Sequence, residues 1–587
     1  MFHSIVTHLT DDTLISLYAF SVELVLVVTI LTILLLRLCR WTENLDAIYV
    51  AIVGTIVALF ALMPIFPLDI TASPMKLVPI GELPRVEIFT GMLVYDGFSV
   101  VIKSILLLFL LLFFTLVKIT GVTARADNTD FTTLVLGASL GMCVMASANH
   151  MLTVFMGIEM ASVPSFVLVA FLRFRRTSSE AALKYALYGA GAAGVMLYGI
   201  SLITGILNTA HLPTMAARLA EMNLAGMSST ETLVLSLAAL MTLAGLAYKL
   251  SAVPFHLWAP DVFEGATAEV GAFLSVASKA AALALLVRVA VGFASLDAAA
   301  TPLAVALESS NAEVAVAAEV EPLQVALLQA EAEAAPADAA PEAAAVTVDS
   351  QERTRNFLGI VLALVAAVTC TFGNLAAFTQ TNIKRLLAYS TIAHAGYMMM
   401  AVPAAVAVSG SHPALAGKFV AYLALYIVVY LFMNLGAFAI VAFVRDATGS
   451  EQIQDYAGML GRNKTVAVCF ALILVSLVGL PPLAGFIGKF AVFASLAEGY
   501  QATAQTYLMV LLFIGGLNTA ISLYYYLRVV KVMLIDSVGD ETPPISHPIG
   551  MLQSGYMWLL TAPVVLLIVN WEFLHAWLQS AVGTLVS

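Results

Sequence analysis

Long apolar stretches recur along the whole chain and limit it to one class of fold. A helix needs about 20 mostly apolar residues to cross the hydrocarbon core of a bilayer. Of the 587 residues, 61% are hydrophobic and only 11% are charged, far too few charges for a water-soluble chain of this length. The sequence therefore predicts an all-α integral membrane protein of about 14 transmembrane helices, at residues 14–37, 45–66, 92–118, 130–148, 151–172, 180–207, 231–261, 267–292, 356–376, 383–402, 414–444, 465–496, 506–535 and 556–578.

The basic residues of the loops favour one orientation of these helices. If the N-terminus lies outside, six loop residues of type Lys or Arg fall outside and fourteen fall inside. Loops on the cytoplasmic side of a membrane are enriched in Lys and Arg, so the count places both termini outside. The first apolar stretch has acidic residues before it and no small-residue pattern after it, so we expect no cleavable signal peptide.

Residues 294–355 differ in kind, since Ala, Glu and Val dominate them. The 11 acidic residues from Asp297 to Glu352 equal the whole net charge of −11, which leaves the membrane body neutral. We predict an exposed insertion, either a tolerated loop or a docking surface, with a candidate short helix at 322–335. The predicted domains are an N-terminal three-helix segment (1–129), a first five-helix repeat (130–293), this insertion, a second five-helix repeat (356–535) and a C-terminal helix (536–587).

Proline interrupts two of the predicted helices. The seventh is broken at Pro254 and the twelfth at Pro481 and Pro482. Such a break at membrane depth frees backbone groups, which then need partners from the protein or from water. The two helices lie five apart, and because five is odd, their repeats would be inverted across the membrane. Two inverted five-helix repeats with broken helices are typical of transporters.

Ionisable residues also lie within the predicted helices. Lys279 is about 18 Å of helix from either end of its span, too far to reach the membrane surface easily. Burial disfavours the charged form of lysine and a nearby carboxylate favours it, so a Lys–Glu contact that forms and breaks moves a proton. The alternative is a buried ion pair that only fixes helix packing. The candidates for proton transfer at such positions are Glu159, Lys249, Lys279 and Lys489.

Two histidines and several other charged residues complete the candidates. His394 lies in the middle of its span and either relays protons near neutral pH or is a hydrogen-bonded core residue. His256 lies two residues after Pro254, where it is a secondary candidate for proton transfer in a hydrated break or caps freed carbonyls. Glu23 is a weaker candidate for contact with a partner subunit. Three basic residues near span ends are expected to snorkel or pack, with Lys184 kept as a secondary candidate for proton transfer: Lys103, Lys184 and Arg288.

Several function classes find no support in the sequence. The four cysteines are scattered, with no CxxC pair, Cys/His cluster or haem-attachment motif. The sequence also lacks a GxGxxG motif after a strand pattern and a phosphate-binding P-loop. We therefore expect no redox cofactor, metal or nucleotide site in this chain, and no nucleic-acid partner.

Four motifs resemble one family of membrane proteins. They are KLSAVPFHLWAPDVFEGAT, SVASK, NIKRLLAYSTIAHAGY and GLPPLAGFIGKF. The chain resembles the antiporter-like subunits of respiratory complex I over nearly its whole length, apart from the insertion. The lysine in GFIGKF, Lys489, favours the subunit N group, since a glutamate is expected there in subunit M.

The resemblance implies a proton channel in the bacterial cytoplasmic (inner) membrane. Glu159 and Lys249 would form a charge pair, Lys279 would be the central lysine, and protons would pass His394 and leave at Lys489. The implied partners are a neighbouring antiporter-like subunit, small helical subunits and the lipid bilayer. NADH, FMN, iron–sulfur clusters and quinone would be bound by other subunits, whose quinone reduction would drive transport.

Three alternatives remain at this stage. The first is a subunit of a multi-subunit Na⁺/H⁺ antiporter, which shares the fold and the Lys/Glu pattern. The second is a membrane scaffold without transport, which gives no reason for charges at mid-span. The third, a quinone-reducing enzyme within this chain, lacks a visible cofactor site.

Overall fold

The structure is a computed structural model that describes residues 13, 16–38, 45–63, 65–66, 76–77, 80–123, 127–172, 175–295, 339–539, 543–544 and 547–586. Helices dominate it, as the apolar stretches predict. In chain order they are α1 (Ser21–Leu38), α2 (Ala47–Ala61), α3 (Gly97–Thr120), α4 (Asn128–Ser147), α5 (Met151–Val169), α6 (Arg176–Leu207), α7 (Leu212–Glu221), α8 (Ser229–Leu250), α9 (Trp258–Gly265), α10 (Ala268–Ala294), α11 (Ala339–Ala377), α12 (Ile383–Met399), α13 (Ala401–Val408), α14 (Pro413–Thr448), α15 (Met459–Arg462), α16 (Lys464–Val478), α17 (Ala484–Thr503), α18 (Thr506–Leu534), α19 (Met551–Leu566) and α20 (Trp571–Val586).

Two small antiparallel hairpins precede α3. Strand β1 (Ile65–Phe66) pairs with β2 (Lys76–Leu77), and β3 (Val86–Ile88) pairs with β4 (Leu93–Tyr95). The second hairpin leads directly into α3. The side chain of Asp96 caps the N-terminus of this helix.

Among the described residues, eleven helices are long and apolar enough to cross a membrane, counting α12 and α13 as one. A twelfth span exists if α19 and the following helix up to Gly583 are one bent crossing. The apolar helices α2 and α16 are shorter, with 15 residues each. These lengths and compositions confirm a multi-pass, mainly helical membrane protein.

Both predicted proline breaks are present. Helix α8 ends at Leu250 and α9 begins at Trp258, while α16 ends at Val478 and α17 begins at Ala484. The residue after each first half is left-handed, with φ 56° at Ser251 and 88° at Gly479. The last carbonyls of α8 and α16 therefore have no following turn of helix to bond them.

The most buried helices lie at the centre of the bundle. The most apolar 18-residue window of α10 is 100% buried, and the corresponding windows of α12–α13 and α14 are 94% and 89% buried. The same windows of α1 and α18 are only 28% buried, which places these helices at the periphery. Lys279 therefore lies on the helix most shielded from the surroundings of the chain.

The C-terminal span differs from the prediction of one helix over 556–578. Helices α19 and α20 meet at a bend of 85°. Leu578, Ala581 and Val582 of α20 are fully buried, and the carbonyl of Ala581 lies against Gly97 at the start of α3. Hydropathy reports the apolar content of both helices but carries no signal for this tertiary contact, which holds α20 away from the axis of α19.

The predicted insertion is only partly covered by the structure. Residues 296–338, including the candidate helix at 322–335, lie outside the described residues. The end of the predicted insertion, from Ala339 to Arg355, is helical and continuous with the next span as part of α11. The boundary between residues 355 and 356 is therefore not a break in the backbone, because the mainly polar residues 346–355 include no proline or glycine to end a helix.

Candidate functional site

Lys279 points its ammonium group at the end of the broken helix α8. The side chain is 1% exposed, and Nζ donates to the backbone oxygen of Lys249 at 3.1 Å and closely to Oγ of Ser251. It also lies over the ring of Trp258, 5.2 Å from the centroid. The C-terminal end of a helix carries partial negative charge on its unpaired carbonyls. The break predicted from Pro254 thus supplies the group that stabilises the buried cation.

Lys249 lies beside the predicted carboxylate but not in contact with it. Its side chain is fully buried, and Nζ donates to Oγ of Ser162 at 3.1 Å. Glu159 lies one turn before Ser162 on α5, is half-buried, and attracts Lys249 electrostatically without a direct ion pair among the described residues. The expected Glu159–Lys249 pair is therefore a through-space interaction in this structure, with a serine hydroxyl as the direct partner of the lysine.

A cluster of hydroxyl and amide groups extends from Lys279 towards the second broken helix. Ser275, one turn before Lys279, contacts Thr391 at 2.9 Å and the hydroxyl of Tyr430 at 3.0 Å. Asn434 donates to the Tyr430 hydroxyl at 2.9 Å and closely to Ser275. We call Ser275, Thr391, Tyr430 and Asn434 the hydroxyl cluster. Sequence reasoning missed it, because single Ser, Thr and Asn residues in apolar spans usually satisfy their own helix and a single Tyr does not reveal its partner.

His394 continues this line of polar groups one turn beyond Thr391. Its Nδ1 lies 2.8 Å from the hydroxyl of Tyr426 and its Nε2 lies 3.2 Å from that of Tyr526. The Tyr526 hydroxyl in turn makes a close contact with Ser390. His394 is thus buried and hydrogen-bonded, its role as a proton relay stays a prediction, and the two tyrosines are the partners that the sequence could not name.

Lys489 repeats at the second break what Lys279 does at the first. Its side chain is 3% exposed, and Nζ donates to the carbonyl of Val478, the last residue of α16, at 2.8 Å. The ammonium lies 4.3 Å from the ring centroid of Tyr397. The Tyr397 hydroxyl lies within reach of Asn374 (3.4 Å) and Thr519 (3.4 Å) on flanking helices. Each broken helix thus ends on a lysine from another helix or from its own second half.

His256 lies in the first break, as expected, but apart from these polar groups. Its ring packs on Phe372 of α11 with centroids 4.3 Å apart. Its Nδ1 is buried and has no hydrogen-bond partner among the described residues. The contacts of the described structure do not join His256 to Lys279.

Lys184 belongs to a charged cleft at the helix ends. Its Nζ lies 2.8 Å from Asp261 and 3.0 Å from Glu180, and its side chain is 40% exposed. Arg385 contacts both Asp261 (3.0 Å) and Glu264 (2.7 Å). The charged cleft has a volume of about 580 Å³ and is lined by, among others, Lys184, Asp261, Glu264, Lys384, Arg445 and Glu451. Lys184 therefore lies near the end of its helix, at the surface, and not in the middle of a membrane span.

Lys103 and Arg288, which were expected to snorkel or pack, pack in two buried ion pairs. Lys103 contacts Glu23 at 2.7 Å, with side chains 3% and 0% exposed. Glu23 is thus enclosed by this chain, and the expectation that it contacts a partner subunit is wrong for this structure. Arg288 binds both oxygens of Asp96, at 2.9 and 2.7 Å, and donates to the carbonyl of Ala146. The spacing of residues along one helix does not predict which residues of other helices contact it.

Comparison with known proteins places these features in a family. The sequence model of the family described as NADH:quinone oxidoreductase/Mrp antiporter, TM matches residues 148–309 and 326–518, which include every candidate proton-transfer residue. A protein of Anaeromyxobacter sp. (strain Fw109-5) named NADH-quinone oxidoreductase subunit N is 35% identical over 539 residues, covering 89% of this chain and 90% of the relative. A protein of Sorangium cellulosum (strain So ce56) named NADH-quinone oxidoreductase subunit N 2 is 36% identical over 508 residues, covering 86% of each chain.

Solved structures show the same fold. A chain of respiratory complex I from Thermus thermophilus with bound aureothin aligns with a TM-score of 0.63 and 25% identity, covering 94% of this chain and 98% of that one. A chain of the Mrp complex from Dietzia sp. DQ12-45-1b aligns with a TM-score of 0.70 over 97% of this chain and 98% of that one, but at 15% identity it supports the fold alone. The family match and the two long relatives agree with the buried lysines found at the two helix breaks. The chain therefore belongs to the NADH:quinone oxidoreductase/Mrp antiporter transmembrane family.

Proposed function

We propose that this chain is a proton-translocating membrane subunit of an NADH-quinone oxidoreductase, of the subunit N type. One observation carries the proposal: buried ionisable and hydroxyl groups follow one another from Lys249 to Lys489 through the centre of the bundle. Lys279 neighbours Ser275 of the hydroxyl cluster, and His394 follows Thr391 of the same cluster by one turn. Buried groups of this kind are expensive in a membrane and typically mark ion pathways.

The two lysines at helix ends suit a proton-transfer role. A carbonyl at a helix C-terminus favours the ammonium form, while exclusion of water favours the neutral amine. Because the carbonyl and the exclusion of water act in opposite directions, a small change in the surroundings lets the lysine hold a proton or release it. Glu159, which attracts Lys249 through space from α5, is the group whose movement would shift this balance.

The direction of transport follows from the positive-inside count. The charged cleft, with Arg385 and Arg445 at its edge, lies at the end expected to be cytoplasmic. Protons would enter there, reach Lys279, pass the hydroxyl cluster and His394, and leave near Lys489 on the periplasmic side. Both termini would then be periplasmic, in a bacterial inner membrane.

The finer architecture is part of this proposal. Adding α2, the broken pair α16–α17 and the bent C-terminal pair to the eleven long helices gives fourteen crossings. The segments 130–293 and 356–535 would be inverted five-helix repeats, flanked by an N-terminal segment (1–129), an insertion (294–355) and a C-terminal part (536–587). A lysine that caps the first half of each broken helix supports this internal symmetry.

The driving reaction would take place in other subunits. NADH, FMN, iron–sulfur clusters and quinone would be bound there, and an antiporter-like neighbour and small helical subunits would flank this chain in the bilayer. Quinone reduction would reach Lys249 and Lys279 as a conformational or electrostatic signal.

The test is NADH-driven proton pumping in inverted membrane vesicles, with and without sodium. We expect Lys279→Ala to lower pumping at least about tenfold while the complex still assembles. Lys279→Arg, which keeps the charge but cannot release a proton, should lower pumping as well, and Lys418→Ala, which removes a surface pair with Glu498, serves as the control. An assembled Lys279→Ala complex that pumps normally would contradict the proposal.

A Na⁺/H⁺ antiporter subunit is the second candidate, because the chain shares the fold of the Mrp complex. Transport that requires sodium and continues without NADH oxidation would favour it. A scaffold without transport predicts that all three variants pump like the wild type.

A further inference from the structure

Glu269 is a buried carboxylate that the path above does not use. It lies in the first turn of α10, and its side chain is 0% exposed. One oxygen, Oε1, accepts a hydrogen bond from Arg445 at 3.3 Å, while Oε2 is buried without a hydrogen-bond partner among the described residues. Buried carboxylate oxygens are nearly always hydrogen-bonded, so a free one needs an explanation.

Arg445 separates this carboxylate from the charged cleft. The arginine lines the cleft and contacts Glu269, which is not among the lining residues. It also binds Asp446 at 2.7 Å. From α12, Lys384 contacts Glu451 at 2.9 Å and donates to the carbonyl of Ala266 at 2.8 Å. Glu269 thus contacts Arg445, one of the paired charges that line the cleft.

On its other side, Glu269 shares a helix with the proton path. Ser275 follows it by six residues and Lys279 by ten, which places them about 9 and 15 Å further along the axis. Ser275 belongs to the hydroxyl cluster and contacts both Thr391 and Tyr430. Transfer over the first distance requires water between Glu269 and Ser275, since no hydrogen bond joins them among the described residues.

We propose that Glu269 is the residue that takes up protons from the charged cleft and passes them to Lys279. The step is balanced: a proton from hydronium in the cleft binds Oε2 to give a neutral carboxylic acid, which releases it through the hydroxyl cluster to the neutral amine of Lys279. The carboxylate and the ammonium result. Arg445 is a positioning residue that holds Oε1 and leaves Oε2 free. This assignment rests on the proposed pumping function.

The test compares Glu269→Gln, Glu269→Asp and Glu498→Gln in the full complex. Gln keeps the shape and the contact with Arg445 but cannot carry the proton. We expect Glu269→Gln to lower NADH-driven pumping about tenfold or more, Glu269→Asp to retain most of it, and Glu498→Gln to match the wild type. An infrared difference spectrum of the complex during turnover should contain a protonated-carboxyl band that is absent in Glu269→Gln and shifted in Glu269→Asp.

A purely structural role predicts other results. Assembled Glu269→Gln complex with normal pumping and an unchanged infrared band would overturn the assignment. If Glu269→Gln does not assemble, the spectra of wild type and Glu269→Asp decide, and identical carboxyl bands in the two would overturn it as well. Lys279→Ala is measured in parallel: loss of pumping there alone rejects Glu269 only, whereas normal pumping in both variants rejects the pumping function itself.

Discussion

Lys489 donates to the carbonyl of Val478, at 2.8 Å, across the break in the second interrupted helix. Lys279 makes the equivalent contact with the carbonyl of Lys249, at 3.1 Å, at the end of the first. In both cases the buried ammonium meets the carbonyl end of a half-helix, where partial negative charge is concentrated. The two sites stabilise a buried lysine by the same interaction, although the two lysines come from different positions relative to the broken helices.

The Lys489 site gives the first prediction. Lys489→Ala should lower NADH-driven pumping at least about tenfold, because no other cation reaches the Val478 carbonyl in the described structure. Lys489→Arg should also lower pumping, since the guanidinium keeps the positive charge but does not release a proton near neutral pH. The readout is the rate of pH-gradient formation in inverted vesicles, normalised to assembled complex. Equal rates in wild type and Lys489→Ala would remove Lys489 from the path.

The hydroxyl cluster gives the second prediction. Thr391→Val keeps the shape of the side chain but removes the hydroxyl between Ser275 and Tyr430. We expect pumping to slow several-fold with normal assembly. The matched control is Thr55→Val, since the buried Thr55 hydroxyl bonds only its own helix, at the Ala51 carbonyl, among the described residues. Equal slowing in both variants would point to a general packing effect instead.

The buried pair Glu23–Lys103 gives the third prediction. Glu23→Gln leaves the Lys103 ammonium buried and unpaired, which should destabilise the protein by about 3–5 kcal/mol. Replacing both residues by leucine should restore much of the stability, because no charge is then left buried. Thermal unfolding in detergent measures both effects. Arg353→Met, which breaks an exposed pair with Asp349, should change stability by less than about 1 kcal/mol. A loss as large in the double variant as in the single one would show that packing, rather than charge, is responsible.

Asp46 gives a prediction about pH. Burial raises the pKa of Asp46, but hydrogen bonds from Lys118, the Ile48 amide and Asn128 outweigh it and hold the pKa below its usual 3.8. A carboxyl group whose pKa is lower in the folded state stabilises the fold above its unfolded pKa, and this contribution is lost as the pH falls through the folded value.

Asp46→Asn tests this charge effect, since Asn can still cap helix α2. At neutral pH the variant should unfold at a lower temperature than the wild type. The difference should shrink as the pH falls from about 5 and vanish below the folded pKa of Asp46. A difference that is the same at pH 7 and at acid pH would assign the effect to shape instead of charge.

The sequence predicted those features that depend on the residues of a single segment. Apolar runs predicted the membrane helices, Pro254 and Pro481 predicted both breaks, and the isolation of Lys279 predicted a buried cation. It was less informative at the ends of elements. The bend between α19 and α20 depends on tertiary contacts. The helical start of α11 is formed by residues of mixed helix propensity.

The remaining features depend on which helices lie side by side. The sequence by itself determined the membrane class, the interrupted helices and the identity of the buried charges, because hydropathy, proline and charge act within a single segment. Only the tertiary structure decided that Lys279 caps the end of α8, that Ser275 meets Thr391 and Tyr430, and that Glu23 and Asp96 neutralise Lys103 and Arg288. These partners lie tens to hundreds of residues apart in the sequence, and only the packing of α1, α3, α8, α10, α12 and α14 brings their polar atoms within hydrogen-bonding distance.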